Sequence, residues 1–194
     1  AENIGDAKTI VYSTAISESN VERQEAAAAD LKILHRSDFL AFLMESKQSV
    51  TVAGTHGKTT TAAMITFLLD RLEVDPSAAI GGRMKHVGSS AKHGSGNLFV
   101  AEADESDGTF LKYKPYISVL TNVDSDHMEY FGSFENLEKQ FSTYLSNTHE
   151  DGVAVVGWDN PASRAMGQKY TGNRLTYGFA IGSEVRAINY KLDK

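Results

Sequence analysis

The stretch Ser49-Val-Thr-Val-Ala-Gly-Thr-His-Gly-Lys-Thr-Thr-Thr, ending at Thr61, brings together residue types whose spacing suits phosphate. Val50 to Ala53 is a short, apolar, β-branched run; Gly54 to Gly57 is a glycine-bearing turn; Lys58 opens a helix. That is the strand–loop–helix order of a phosphate-binding loop. Glycine lets the backbone wrap close to phosphate oxygens, and N–H groups at a helix start point at the anion. Lys58 adds a point charge for the β- and γ-phosphates, and the Thr59 hydroxyl suits a magnesium ion. Val52 stands where the longer, commoner loop has its first glycine, so the turn is the tighter Gly54-x-x-Gly57-Lys58-Thr59. Three threonines at a helix start are poor helix formers with polar groups to satisfy. Phosphate contact explains them better than a plain strand–turn–helix connection that happens to carry a lysine. The expected ATP contacts are Gly54, Thr55, His56, Gly57, Lys58, Thr59 and Thr60, with His56 orienting backbone or substrate. A phosphate-facing Lys58 is expected to have no buried partner.

Two later apolar runs also end in reactive residue types. Val100-Ala-Glu-Ala-Asp-Glu-Ser-Asp places Glu102, Asp104, Glu105 and Asp107 at the end of one, and Leu120-Thr-Asn-Val-Asp-Ser-Asp-His places Asn122, Asp124, Asp126 and His127 at the end of the other. If these strands neighbour the first, hard oxygen ligands and one imidazole converge on the phosphates at Lys58, as a magnesium–nucleotide site requires. An acidic run is more often solvated surface. Glu102 stands apart because it directly extends an apolar strand, where an unpaired carboxylate is costly to bury. His127 follows a strand in the same topological position, whereas His35, His86, His93 and His149 lack such a context and read as structural or exposed.

The elements that must position these groups alternate. Thr9 to Ser13 reads as a strand, Asn20 as the N-cap of an alanine-rich helix, Leu31 to Leu34 as a second strand, and Ser37 as the cap of another helix. This opening β-α-β-α piece has too few strands to close a sheet and is expected to be the tail of a Rossmann-like domain over residues 1–47, with a short linker at Glu45 to Gln48. Residues 48–194 form the phosphate-loop domain. Its first helix sets Ala62, Ile65, Leu68, Leu69 and Leu72 at helical spacing, and Asp75-Pro76 ends it. Ala78 to Gly82 is expected as a strand, Arg83 to Gly96 as a polar loop, and Leu98 to Ala101, Tyr116 to Leu120 and Val153 to Val156 as further strands. Phe134, Leu137, Phe141, Tyr144 and Leu145 mark the apolar face of a helix. Asn160-Pro161 starts another, ending near Gly172, before a strand from Arg174 to Phe179. The fold class is α/β, a mostly parallel sheet flanked by helices.

Composition narrows the function classes. The 194 residues are 41% hydrophobic and 23% charged, ample for a core, and the net charge of −6 argues against a general nucleic-acid or membrane-surface binder. There is no cysteine, hence neither a disulfide framework nor thiol chemistry, and no apolar run reaches transmembrane length. A cytoplasmic location is the default expectation.

Gly54-Thr-His-Gly-Lys-Thr-Thr-Thr, Ala101-Glu-Ala-Asp-Glu-Ser-Asp and Thr121-Asn-Val-Asp-Ser-Asp-His-Met, in this order, resemble the Mur ligases of peptidoglycan synthesis. The loop histidine and the Glu-Ser-Asp form of the acidic motif resemble the alanine-adding branch more than the tripeptide-recycling one, and folylpolyglutamate synthetase fits less well. Ser13-Thr-Ala-Ile-Ser-Glu-Ser-Asn and His35-Arg-Ser-Asp resemble the end of that family's UDP-binding domain. The resemblance implies ATP-dependent amide formation between UDP-N-acetylmuramate and L-alanine through an acyl phosphate. It implies Lys58, Glu102 and His127 as the catalytic set, magnesium on Thr59 and Glu102 with a second ion on His127, and Ser13, Thr14 and Asn122 as substrate contacts. Several sister ligases carry a carbamylated lysine where Phe141 stands here, with Lys139 pointing elsewhere. The family has three domains, so this chain is expected to be a fragment, inactive alone. Two other classes stay open on the residues themselves: a phosphate-loop NTPase acting as switch or motor, and a non-catalytic nucleotide-binding module.

Overall fold

The computed structural model of the chain describes residues 2–126 and 128–191; His127 lies outside the described residues. One compact unit ends at Ser46 and a second begins at Lys47.

In the first unit, β1 (Thr9–Tyr12) and β2 (Lys32–His35) pair in parallel, and α1 (Val21–Ala28) forms the crossover. Asn20 caps α1 as its type predicts, its side chain accepting from the N–H groups of Glu22 at 3.0 Å and Arg23 at 3.2 Å. His35, not Ser37, caps α2 (Arg36–Glu45). The His35 Nδ1 accepts from the Ser37 N–H at 3.2 Å, and Ser37 is buried inside the first turn. Histidine is outside the usual N-cap set, so the sequence pattern settles on the serine two residues later.

The second unit is organised about β3 (Gln48–Ala53), whose alternate residues serve two layers. Val50 and Val52 join an apolar cluster with Ala62, Ile65 and Leu69 of α3 (Lys58–Arg71). Thr51, between them, faces α5 (Phe134–Ser146), its hydroxyl 2.7 Å from that of the buried Tyr144. Burial pushes the Tyr144 phenol well above its ordinary pKa, so it stays a neutral link between helix and strand. The sheet is completed by β4 (Ser77–Met84), β5 (Ser89–Lys92), β6 (Leu98–Glu102), β7 (Ile117–Leu120), β8 (Val153–Gly157), β9 (Arg174–Gly178) and β10 (Val185–Arg186). The order is β10-β9-β8-β7-β3-β6-β4-β5, with every pairing parallel except β4 with β5. The expected α/β class, a mostly parallel sheet with flanking helices, is what the chain forms.

On α5 the predicted Leu137, Phe141, Tyr144 and Leu145 are all buried, and Phe110, from a 3-10 turn at Thr109–Lys112, meets Phe141 edge-on at 5.5 Å. Asn160 caps α6 (Pro161–Lys169), which stops short of Gly172. A short helix, α4 (Met128–Phe131), precedes α5 and has no periodicity to announce it. The expected polar loop from Arg83 to Gly96 holds the end of β4 and all of β5. An exposed edge strand lacks the apolar alternation by which strands are read, and Lys92 blunts this edge while pairing with Asp70 and Asp75 at 2.6 Å. Leu68 on α3 and Leu72, its C-cap, face outward, against expectation. Thr66 is buried instead, donating its hydroxyl to the Ala62 carbonyl at 2.9 Å; a threonine that hides its hydroxyl on its own helix reads as polar in a hydrophobicity pattern. Among the described residues no helix is long and apolar enough to cross a membrane.

Candidate functional site

The neighbours of β3 are β6 on one side and β7 on the other, with Val52 opposite Glu102 and Ala53 opposite Leu120. The segments that follow these three strands therefore meet at one carboxyl edge, where open α/β sheets bind ligands. The strand neighbourhood on which the expected convergence depends is present, while His127 lies outside the described residues.

The loop after β3 is shaped by two glycines and held by the segment after β7. Gly54 has φ of 129°, and a Cβ there would run into the Thr121 hydroxyl and the Asn122 backbone. Gly57, φ 83°, is the left-handed N-cap of α3 and offers no side chain, so the first-turn N–H groups have no side-chain cap. The Thr55 N–H donates to the Asn122 carbonyl at 3.0 Å, and the Asp124 N–H donates to the Thr55 hydroxyl at 2.9 Å. Asn122 grips the His56 backbone from both sides, accepting from its N–H and donating to its carbonyl, each at 2.9 Å. Thr121 adds a hydroxyl donor to the same carbonyl at 2.8 Å. Asn122 thus acts on the loop. A cavity of about 330 Å³ results, lined by Thr55, His56, Gly57, Lys58, Thr59, Thr60 and Glu102.

Two carboxylates reach this loop. Glu102 accepts from the Thr59 hydroxyl at 3.0 and 2.9 Å through its two oxygens, and from the Gly81 N–H at 2.7 Å. Glu105, 1% exposed, accepts from the Lys58 ammonium through Oε1 at 2.9 Å. Its Oε2 lies 2.9 Å from the same ammonium but makes no hydrogen bond. The remaining Lys58 donors go to the carbonyls of Gly54 at 2.8 Å and Thr55 at 3.2 Å. Lys58 therefore does have a buried partner, contrary to expectation. Burial pushes the Glu105 carboxyl above its ordinary range, and the lysine pulls it partly back.

Three further acidic residues make local contacts. Asp104 accepts from the Ser106 N–H at 3.0 Å, Asp107 from the Thr109 N–H at 3.0 Å, and Asp124 from the Ser125 N–H at 2.8 Å. These are turn-forming roles. Ser13 and Thr14 belong to the first unit, where the Thr14 hydroxyl lies 3.0 Å from the His35 Nε2.

Residues 52–194 match the family described as Mur ligase middle domain. The chain belongs to the Mur ligase family. It is 43% identical over 191 residues to the UDP-N-acetylmuramate–L-alanine ligase of Carboxydothermus hydrogenoformans. It is 45% identical over 191 residues to the ligase of that name from Roseobacter denitrificans. Each match covers 98% of this chain and 41% of the relative, so the chain spans well under half the length of these relatives. The crystal structure of UDP-N-acetylmuramate-alanine ligase from Thermotoga maritima gives a TM-score of 0.78 at 28% identity, covering 91% of this chain and 40% of that one. A UDP-N-acetylmuramate:L-alanyl-gamma-D-glutamyl-meso-diaminopimelate ligase from Neisseria meningitides shares the fold, with a TM-score of 0.76 at 24% identity over 88% of this chain and 58% of its own.

In this Mur ligase chain, Gly81 is a site residue the sequence reading missed. A Cβ on it would stand 2.7 Å from a Glu102 oxygen, and one on Gly82 would stand 2.8 Å from the Thr59 methyl. The signal was there: paired glycines inside a strand mark a close approach of another group. The pairing of Glu105 with Lys58 gave no such signal, because an acidic run does not say which member turns inward.

Proposed function

We propose that the second unit binds Mg·ATP and that the chain is the nucleotide-binding part of a ligase that joins L-alanine to the carboxylate of UDP-N-acetylmuramate. One juxtaposition carries the nucleotide reading: Lys58, the Thr59 hydroxyl and the Glu102 carboxylate border a single cavity at a helix N-terminus. The acceptor and the amino acid follow from relatives at 43% and 45% identity that are named for that reaction.

In this reading the N–H groups of the α3 start and Lys58 hold the phosphates in line, with Gly54 and Gly57 allowing the close approach and Thr55, His56 and Thr60 as the remaining contacts. Thr59 and Glu102 are hard oxygen donors 2.9 Å apart, which suits magnesium completed by phosphate oxygens and water, and His127 is the proposed ligand of a second ion. The ion's contribution is charge neutralisation on the phosphates. The muramyl carboxylate oxygen attacks the γ-phosphorus and ADP leaves; the alanine amine then adds to the acyl carbon and phosphate departs. Ser13 and Thr14 are proposed contacts of the nucleotide sugar. The proposed location is the cytoplasm, and the net charge of −6 suits neither nucleic acid nor an anionic membrane surface as partner.

Titration of the chain with Mg·ATP tests the site, and an assay of ADP release with UDP-N-acetylmuramate and L-alanine tests the reaction. Saturable binding that EDTA abolishes supports the nucleotide site. ADP release that needs both substrates, with the alanyl adduct seen by mass spectrometry, supports the ligase. Hydrolysis indifferent to both substrates points to an NTPase, and no nucleotide binding overturns the reading.

A further inference from the structure

An ammonium has three N–H donors. Those of Lys58 are spent on the Gly54 carbonyl, the Thr55 carbonyl and the Glu105 carboxylate, at 2.8, 3.2 and 2.9 Å. The lysine that a phosphate would need is thus folded back under its own loop. Beyond Lys58, burial holds Glu105 in place. Its Oε2 has no hydrogen-bond partner, and its side chain is 2% exposed against 12% for Lys58. The carboxylate sits on the buried side of the ammonium, and the lysine side chain borders the cavity.

From this geometry we infer that Glu105 is a competitor of the incoming polyphosphate for Lys58: it holds the lysine retracted and gives it up when the anion binds. The inference rests on the nucleotide reading of the cavity. A polyphosphate and a carboxylate are both anions, and a single ammonium with its donors spent cannot serve the first without loosening the second. The carboxylate is fixed by burial, so the lysine is the partner that moves. The device confers selectivity: a singly charged anion gains too little from Lys58 to dislodge it, whereas a magnesium-bound triphosphate brings several charges to the same helix start. Glu105 is a positioning residue, acting on the ligand only through Lys58.

The test compares Mg·ATP affinity of the full 194-residue chain with that of its Glu105→Gln variant by calorimetry. Glutamine keeps the shape and a neutral acceptor but removes the competing charge. The expected result is binding about fivefold tighter, the difference between a charged and a neutral hydrogen bond. A second measurement needs no variant: a crystal structure of the wild-type chain with a magnesium–ATP analogue, in which the Lys58–Glu105 separation is expected to exceed the 4 Å limit of an ion pair. Affinity unchanged or weakened in Glu105→Gln, or an ion pair still at 2.9 Å beside bound nucleotide, overturns the competition and leaves the nucleotide site standing. Failure of both proteins to bind Mg·ATP overturns the nucleotide site, and the competition falls with it.

Discussion

Lys58 and Glu105 depend on each other for stability as well as function. Replacing Lys58 with alanine strands a buried carboxylate, which costs roughly 1–3 kcal/mol. The cost depends on pH in a definite direction. Glu105 already has a raised pKa in the fold, so between its ordinary and its raised value the folded state holds more protons than the unfolded one. Stability from this group is complete below that window and is lost as pH rises through it. Without Lys58 the carboxyl rises further. Urea unfolding should therefore show Lys58→Ala losing more, relative to wild type, at pH 8 than at pH 5. Equal losses at both pH values would mean that Glu105 is not the group left unpaired. At Gly81 the argument is steric. Gly81→Ala pushes the Glu102 carboxylate off its Thr59 contact and is expected to weaken magnesium affinity in the nucleotide complex about tenfold or more, the scale seen when the support of a metal ligand is disturbed. Magnesium titration at fixed ATP measures it, and unchanged affinity would remove Glu102 from the ligand set.

At the level of elements, α5 is tied to β3 through Tyr144 and to the 3-10 turn at Thr109–Lys112 through Phe141. Phe141 is fully buried against Phe110, so Phe141→Ala should cost about 3–5 kcal/mol in denaturant unfolding. Stability within about 1 kcal/mol of wild type would show that this face is not packed as described. The helix was readable because its face is purely apolar at 3.6 spacing. α3 was only half readable: its inner face has the expected Ala62, Ile65 and Leu69 but adds the polar Thr66, while Leu68, and Leu72 just past its end, point out. β5 was invisible because an edge strand of serine, alanine and lysine looks like a loop. The strand–loop–helix at Gly54 to Thr60 was legible in its backbone, since the glycines and the helix start at Lys58 stand where the turn demands them. The grip of Asn122 on His56 and the pairing of Glu105 with Lys58 were not, because each joins residues 47 to 66 positions apart.

At the scale of the whole molecule, the two units differ in how much they bury. In the first, Ala26 and Met44 are the buried apolar residues among those described, whereas the second has a contiguous apolar cluster under α3 and a ring-packed layer under α5. Local opening follows buried contacts. Hydrogen-exchange mass spectrometry should show the amides of β1 and β2 exchanging well before those of β3, β6 and β7, and equal protection would mean that the first unit draws stability from a source other than its own core. The central place of β3 also bears on the birth of the chain. β3 is an early strand, yet its two partners come from β6 and β7, the second completed only at Leu120. At a ribosomal pace of about 5–20 residues per second, Val50 to Ala53 waits roughly 3–13 s between its own synthesis and that of its last neighbour. Until Glu102 is made this sticky, uncharged ribbon has both edges bare, and one edge stays bare until Leu120. The strand that unites the finished site is thus the nascent chain's most vulnerable segment, and ribosome-associated chaperones are expected to crosslink there first.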